Sequence, residues 1–308
     1  MIDVTLLGTS ALMPLPDRAL SAAYLSCAGR GILFDCGEGT QAAARRAGVS
    51  LMKTDIIAIS HFHGDHYFGL PGLLQSMNAL DREEALYILG PECIGQELEP
   101  ILKLAGYLKY ELRVLPMEGG ELMLRDICPG FPHGSKLSAF KTKHRVESIG
   151  YAFTLPRAGK FMPEKAEALG LPREFWGKLQ RGEAVEHEGS CVEPGMVLGE
   201  ARRGIKIVYS GDTAVCPELL QAAADADLLI SEATYGLDEQ AELAAEYGHM
   251  CFAQAAGIAA EAGARRLWLT HYSPMIKEPE EYIENAVAVF PETECGYDGK
   301  SIKLSFEE

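Results

Sequence analysis

The stretch His61-Phe62-His63-Gly64-Asp65-His66 follows directly on the apolar run Ile56-Ile57-Ala58-Ile59. Three imidazoles and one carboxylate therefore lie within six residues, just past a predicted β-strand. Residues two apart in extended backbone project to the same side, so the first two histidines can share one metal ion. The aspartate and the third histidine fall on the next turn, where they could hold a second ion about 3.5–4 Å from the first. The stretch is typical of the edge of a two-metal hydrolytic site.

Composition favours a large soluble α/β protein. The chain has 308 residues, 47% of them hydrophobic, which is enough for one large core, and we expect residues 1–308 to form a single hydrolase domain. The net charge is -16, from 44 acidic and 28 basic residues. The surface as a whole is therefore unsuited to non-specific nucleic-acid binding. An anionic substrate must be held locally.

The distribution of cysteines and of apolar residues predicts a cytoplasmic location. The eight cysteines form no CxxC pair, which argues against a zinc ribbon or a thiol redox motif. The first residues lack the basic segment of a secretory signal and already have the pattern of a strand. No apolar run approaches the length of a membrane span. We expect reduced cysteines and no membrane association.

Strand patterns alternate with helix patterns along most of the chain, which indicates a layered α/β domain. Most candidate ligands fall at the carboxyl ends of predicted strands, where open α/β folds place their sites. The predicted strands are 4–7, 32–35, 56–60, 86–89, 112–115, 140–144, 149–154, 205–210, 228–231 and 267–270, and the predicted helices lie near 40–47, after 69, and at 93–107, 217–226 and 253–262.

The segment 156–203 interrupts this alternation. It contains four prolines and is far longer than connections in compact domains usually are. Its eight basic and eight acidic residues make it nearly neutral within an acidic protein. An ordinary irregular connection is the alternative, but the length favours a functional inserted arm.

Three further candidate ligands, His144, Asp212 and His271, follow predicted strands elsewhere in the chain. With the first cluster, they make the chain resemble the metallo-β-lactamase superfamily and, within it, the tRNase Z family of endonucleases that trim tRNA 3′ ends. The resemblance covers nearly the whole chain. Further motifs that carry it are Gly8-Thr9-Ser10, Phe34-Asp35-Cys36-Gly37-Glu38-Gly39-Thr40-Gln41, Phe68-Gly69-Leu70-Pro71-Gly72-Leu73-Leu74 and Ser148-Ile149-Gly150-Tyr151.

The resemblance implies a four-layer αβ/βα sandwich with two mixed β-sheets, and it implies that segment 156–203 is a protruding arm that binds substrate. It also implies two Zn²⁺ ions per chain. One ion would be bound by His61, His63 and His144, the other by Asp65, His66 and His271, with Asp212 bridging both. Imidazole nitrogen and carboxylate oxygen suit zinc, although the same donors accept manganese or iron. Metals at this position depress the pKa of bound water and offset charge on a phosphodiester.

Catalytic roles follow from the same resemblance. Asp65 would act as the base, and Glu232 and His249 would form an acid pair that protonates the departing 3′ oxygen. Taken alone, Glu232 could be a solvated carboxylate and His249 a histidine at the start of a helix. Asp35, after an apolar strand, is expected to orient the metal loop by hydrogen bonds rather than to bind metal.

The substrate-binding parts depart from the family pattern. Arg18 corresponds to the arginine of a phosphate-binding loop, but the asparagine that usually follows it is absent. An arginine usual four residues after the last histidine ligand is Met275. Met250-Cys251 replaces Ser-Thr, and Arg173-Glu174-Phe175 replaces the Gly-Pro centre of the arm. Arginine contacts position a nucleic acid on the metals, so these changes bear on substrate choice.

Three functions fit this pattern. The leading hypothesis is a zinc-dependent phosphodiesterase of tRNase Z type that removes the 3′ trailer of precursor tRNA, working as a homodimer. The first alternative is a phosphodiesterase of the same fold that acts on a small or cyclic phosphodiester. The second is a non-catalytic RNA-binding relative, which the complete ligand set disfavours.

Overall fold

The computed structural model describes residues 1–307 and contains sixteen strands and twelve α-helices in that range. The strands are β1 Ile2–Gly8, β2 Ala22–Cys27, β3 Arg30–Phe34, β4 Thr54–Ala58, β5 Leu86–Gly90, β6 Leu112–Pro116, β7 Gly120–Met123, β8 Lys136–Lys141, β9 Ile149–Arg157, β10 Val185–His187, β11 Ser190–Val192, β12 Arg202–Tyr209, β13 Leu228–Glu232, β14 Leu267–Thr270, β15 Thr293–Cys295 and β16 Ser301–Leu304. The helices are α1 Thr40–Arg46, α2 Gly64–Tyr67, α3 Leu70–Ala79, α4 Ile94–Ala105, α5 Leu124–Ile127, α6 Pro163–Ala168, α7 Arg173–Gln180, α8 Pro194–Val197, α9 Pro217–Ala223, α10 Ala241–Tyr247, α11 Phe252–Glu261 and α12 Ile283–Val287.

Fourteen of the strands form two mixed sheets of seven. The first has the order β16-β1-β2-β3-β4-β5-β6, antiparallel up to β3 and parallel from β3 to β6. The second has the order β15-β14-β13-β12-β9-β8-β7, parallel from β15 to β12 and antiparallel from β12 to β7. In each sheet the strands that carry site residues lie in or beside the parallel half.

The alternation of side chains along each strand produces four layers. Phe34 of β3 and Tyr151 of β9 face each other between the sheets, with ring centroids 6.0 Å apart. Leu33, one residue earlier, points the other way and packs under α1, α3 and α4. Val208 of β12 likewise packs under α9 and α11 on the far side of the second sheet. The order helix, sheet, sheet, helix confirms the predicted αβ/βα sandwich.

Predicted and observed boundaries differ most where strands lead into the site. The predicted strand 140–144 ends as β8 at Lys141, so His144 lies in the loop before β9. The predicted strand 56–60 ends as β4 at Ala58, because the backbone N–H of Ser60 bonds to the Asp35 carboxylate instead of a neighbouring strand. The helix predicted at 217–226 stops at Ala223.

Residues 163–197, the central part of the predicted arm 156–203, form a small folded unit between β9 and β12. It contains α6, α7, the hairpin of β10 and β11, and α8. Its buried apolar residues make a cluster of their own: Ala166, Leu171, Leu179, Val185, Val192 and Val197. The chain enters and leaves this unit side by side, because Phe161 pairs with Leu198 just beyond the ends of β9 and β12. Within residues 1–307, no helix has both the length and the apolar character that crossing a membrane requires.

Candidate metal centre and catalytic site

Strand ends from both sheets meet at one edge of the sandwich, and the seven predicted ligands lie there. His61 to His66 follow β4 of the first sheet and run into α2. Asp212 follows β12 and His271 follows β14 of the second sheet. The loop between β8 and β9 adds His144. Parallel strands share an edge at their carboxyl ends, which is why ligands distant in sequence converge.

The first donor group consists of three imidazole nitrogens. Nδ1 of His63 lies 3.1 Å from Nε2 of His61 and 3.1 Å from Nε2 of His144. Hydrogen bonds assign the proton in two of the rings, since Nδ1 of His61 donates to Oγ of Ser60 and Nδ1 of His144 donates to the carbonyl of Gly248. The unprotonated Nε2 atoms of both rings therefore face Nδ1 of His63, as they would around a cation.

The second donor group joins Asp65, His66 and His271. Nε2 of His271 lies 3.2 Å from Nε2 of His66 and 3.4 Å from Oδ2 of Asp65. The backbone N–H of Leu12 donates to the same Asp65 oxygen over 2.7 Å and fixes the carboxylate. His271 has a φ of 58°, in the left-handed region that a non-glycine residue adopts only when its surroundings hold it there.

Asp212 lies between the two groups. Its Oδ2 is 3.3 Å from Nε2 of both His66 and His271, and 3.7 Å from Nε2 of His61. Its Oδ1 is buried and has no hydrogen-bond partner within residues 1–307. A buried carboxylate oxygen without a partner is costly, and a metal ion would satisfy it. The donor set therefore fits two adjacent metal ions that share Asp212.

The electrostatics of the cluster favour bound positive charge. Burial opposes ionisation of Asp212, but His271, His66 and His61 hold the pKa of its carboxyl well below the usual range. Burial also lowers the pKa of His66, but Asp212, Asp35 and Asp65 outweigh it and raise that pKa well above its usual value. Protons and metal ions compete for such positions, since ligand imidazoles must be neutral to coordinate.

Asp35 orients the ligands as expected for a carboxylate outside the metal shell. Its Oδ2 accepts hydrogen bonds from Nδ1 of His66 over 2.7 Å, from the Tyr209 hydroxyl over 2.7 Å and from Oγ of Ser60 over 2.8 Å. Like His271, Asp35 has a left-handed backbone, with φ of 55°. The bond to Nδ1 leaves Nε2 of His66 free to face Asp212.

Glu232 and His249 form a buried pair beside the cluster. Nδ1 of His249 lies 2.9 Å from Oε1 of Glu232 and 4.0 Å from Oδ2 of Asp212. Glu232 is only 1% exposed, which excludes a solvated carboxylate. His249 lies between α10 and α11, and its ring stacks on that of His271 with centroids 5.6 Å apart. Burial lowers the pKa of His249, but the Glu232 carboxylate overcomes this and raises it to about 9.

Thr234 is a site residue that sequence reasoning missed. Its hydroxyl donates to Oε2 of Glu232 over 2.9 Å and accepts from Nδ1 of His271 over 3.0 Å. It thus links the Glu232–His249 pair to a candidate metal ligand. The available signal was its position two residues beyond Glu232 at a strand end, which places both side chains on one side.

The cluster opens into a cavity of about 650 Å³. Arg18, the predicted phosphate contact, is not among the residues that line this cavity, and its Nη2 donates to the carbonyls of Ile276 and Lys277. Met275 is 85% exposed. A phosphate contact by Arg18 stays a prediction; its Nη1 is buried and has no hydrogen-bond partner within residues 1–307.

This fold with a histidine–aspartate cluster at the sheet edge defines a metal-dependent hydrolase of the metallo-β-lactamase fold. Residues 180–272 match the family model described as a beta-lactamase superfamily domain, and residues 2–109 match the model for the anti-Pycsar protein Apyc1. The crystal structure of the metallo-β-lactamase fold protein YhfI from Bacillus subtilis aligns with 98% of this chain and 100% of its own, at a TM-score of 0.69 and 21% identity.

Full-length relatives identify the family. Ribonuclease Z of Lachnoclostridium phytofermentans is 40% identical over 308 residues, which cover 100% of this chain and 99% of the relative. The crystal structure of human tRNase Z, short form, aligns with 99% of this chain and 100% of its own, at a TM-score of 0.68 and 27% identity. The chain belongs to the ribonuclease Z family, which confirms the resemblance drawn from its motifs.

Proposed function

We propose that this chain is an endoribonuclease that removes the 3′ trailer from precursor tRNA. The observation that carries the proposal is the convergence of two donor groups on Asp212, in a chain that is 40% identical to a ribonuclease Z over its whole length. The metals would be zinc, with manganese or iron as alternatives for the same nitrogen and oxygen donors. When bound, two such ions supply charge that activates water and stabilises the phosphate in the transition state.

Residues of the chain itself would carry out the proton transfers of the reaction. The Asp65 carboxylate lies between His271 and the N–H of Leu12, and these contacts fix it at the cluster. We infer that this carboxylate accepts the proton of the attacking water. His249 lies in the cavity wall beside Asp212 and would donate a proton to the leaving 3′ oxygen. Glu232 keeps this imidazole protonated near neutral pH, since its charge raises the pKa of His249.

The folded unit between β9 and β12 supports a macromolecular substrate. Its hydrophobic cluster is separate from those of the two sheets, and Lys165, Arg173 and Lys178 are exposed on it. Exposed cations on an independent unit can hold tRNA phosphates while the sandwich holds the scissile bond. We assign residues 156–203 to this role.

A small or cyclic phosphodiester is the second candidate substrate. It is favoured by the position of Arg18 outside the cavity wall, with its Nη2 bonded to backbone carbonyls, and by the uncharged Met275 where the family usually has an arginine. Fewer phosphate contacts suit a smaller ligand. The complete donor set speaks against a non-catalytic relative, because buried polar groups without a bound ion would be costly to keep.

One experiment separates these functions. Purified, zinc-loaded protein is incubated with a 3′-extended precursor tRNA and, separately, with bis(p-nitrophenyl) phosphate. The proposal expects a single cut at the 3′ end of the tRNA, lost in Asp212→Ala and kept in Asp126→Ala, an exposed carboxylate on α5. Turnover of the aryl diester without cleavage of tRNA would support the small-substrate alternative instead.

The working form is expected to be a cytoplasmic homodimer. All eight cysteines are free, as is usual in reducing compartments. Dimerisation would let the arm of one subunit hold tRNA at the metals of the other. Light scattering coupled to gel filtration gives the mass, and elemental analysis gives the metal and its stoichiometry.

A further inference from the structure

We propose that Arg145 binds a substrate phosphate next to the scissile bond, and that the Tyr247 ring holds its guanidinium in position. The inference deepens the proposed function, because it assumes an RNA substrate at the same site. Arg145 directly follows the candidate ligand His144, and its Cζ lies 4.0 Å from the centroid of the Tyr247 ring. Both residues line the cavity over the metal cluster.

The backbone fixes the geometry of this stack. The bond from Nδ1 of His144 to the carbonyl of Gly248 holds residues 144–145 beside residues 247–248. Gly248 permits this approach, since its φ is 77° and a Cβ there would lie 2.8 Å from Nδ1 of His144. The interaction that orients a metal ligand therefore also sets Arg145 against Tyr247.

The guanidinium is free to bind an anion. Among residues 1–307, no carboxylate forms an ion pair with Arg145, and Glu147, two residues on, accepts from the backbone N–H of Glu92. Stacking uses the face of a guanidinium and leaves its N–H edge exposed, which is the edge that binds phosphate. Tyr247 supplies an attractive face for the cation and lowers the entropy lost on binding.

The charge of the cavity wall makes this one cation important. Glu38, Asp65 and Asp212 contribute carboxylates, and Arg145 is the one arginine or lysine in the wall within residues 1–307. The phosphates that flank a scissile bond in RNA lie outside the metal cluster and must be neutralised by the protein. Arg18 does not line the cavity and Met275 carries no charge, so Arg145 is the group placed to do so.

The test compares Arg145→Ala, Arg145→Lys and Tyr247→Leu with Arg125→Ala, a change of equal charge at an exposed position on α5. Zinc-loaded proteins are assayed on precursor tRNA and on bis(p-nitrophenyl) phosphate, which lacks flanking phosphates. We expect Arg145→Ala to raise KM for tRNA by roughly 10- to 100-fold, the loss of one charge-assisted hydrogen bond. Its aryl diester kinetics should match wild type.

Three readouts distinguish phosphate binding from a structural role. Arg145→Lys should keep part of the affinity for tRNA that Arg145→Ala loses. Tyr247→Leu should raise KM for tRNA less than Arg145→Ala does. The salt dependence of log kcat/KM for tRNA should become shallower by about one unit in Arg145→Ala. An unchanged KM for tRNA, or equal losses on both substrates, overturns the assignment.

Binding measurements keep this inference separable from the proposed function. Fluorescence anisotropy with a 3′-extended RNA hairpin gives Kd whether or not the RNA is cut. Equal Kd for wild type and Arg145→Ala overturns the role of Arg145. If the wild-type protein binds the RNA without cutting it and Arg145→Ala binds it more weakly, the proposed cleavage is wrong but the role of Arg145 stands.

Discussion

Oδ2 of Asp35 lies 2.7 Å from Nδ1 of His66, although the two residues are 31 positions apart. Asp35 follows β3 and His66 follows β4, and these strands are parallel neighbours, so their ends meet. The carboxylate holds the ring so that its Nε2 faces Asp212 at 3.3 Å. The orientation of this candidate ligand therefore depends on a residue that belongs to neither donor group.

Asp35→Asn should weaken zinc binding by about 10- to 100-fold, since the amide is uncharged and its NH2 group would face either the Ser60 N–H or the three donors on Oδ2. Competition with a chromogenic chelator measures the affinity. Tyr209→Phe removes one of the three donors and should have a smaller effect. Wild-type zinc affinity in Asp35→Asn would show that the hydrogen bonds are dispensable.

His249→Ala should affect substrates according to their leaving group. A ribose 3′ oxygen needs a proton to depart and nitrophenolate does not, so we expect about 10²- to 10⁴-fold slower tRNA cleavage with little change on bis(p-nitrophenyl) phosphate. Single-turnover rates on both substrates measure this. Equal losses would remove the assignment of His249 as the acid.

Glu232→Gln should move the alkaline limb of the pH–rate profile to lower pH. The Glu232 charge raises the pKa of His249, so its removal lowers that pKa and the imidazole loses its proton sooner as pH increases. A general acid works only while protonated, so activity must fall at lower pH than in wild type. The profile of kcat on tRNA tests this, and an unmoved limb would mean that another group is titrating.

Gly248→Ala should disrupt the site, because φ is 77° and the new Cβ would meet His144 at 2.8 Å. We expect weaker zinc binding and slower cleavage of both substrates. The matched control is Gly257→Ala within α11, where an added Cβ meets nothing within 4 Å. That change should stabilise the protein by about 0.5–1 kcal/mol, seen as a higher Tm, and leave activity unchanged. Similar behaviour of the two variants would exclude strain at Gly248.

Replacing residues 162–197 with an Asn-Gly turn tests the arm. Phe161 and Leu198 are already paired, and β9 and β12 are antiparallel neighbours, so a short turn can close the chain there. The replacement removes all buried residues of the arm's apolar cluster together, so none of that cluster remains exposed. We expect KM for tRNA to increase at least tenfold while bis(p-nitrophenyl) phosphate turnover stays near wild type. Loss of both activities would assign the arm a structural role.

Much of the fold was predictable because its signals are local. Alternation of side chains placed Leu33 and Phe34 on opposite faces of one strand, and apolar runs located ten of the strands. Strand ends were less predictable, as at Ala58, because side-chain hydrogen bonds there replace strand pairing. The family resemblance also pointed to seven candidate ligands, and these residues converge at the sheet edge.

The sequence by itself determined which donor side chains are available, since ligand chemistry and the two-residue spacing of His61 and His63 after a strand are properties of a short segment. Only the tertiary structure decided which polar groups surround them. Thr234 contacts His271 across 37 positions, Arg18 bonds to Ile276 across 258, and Arg145 stacks on Tyr247. These contacts depend on strand order and loop paths, which no local spacing encodes.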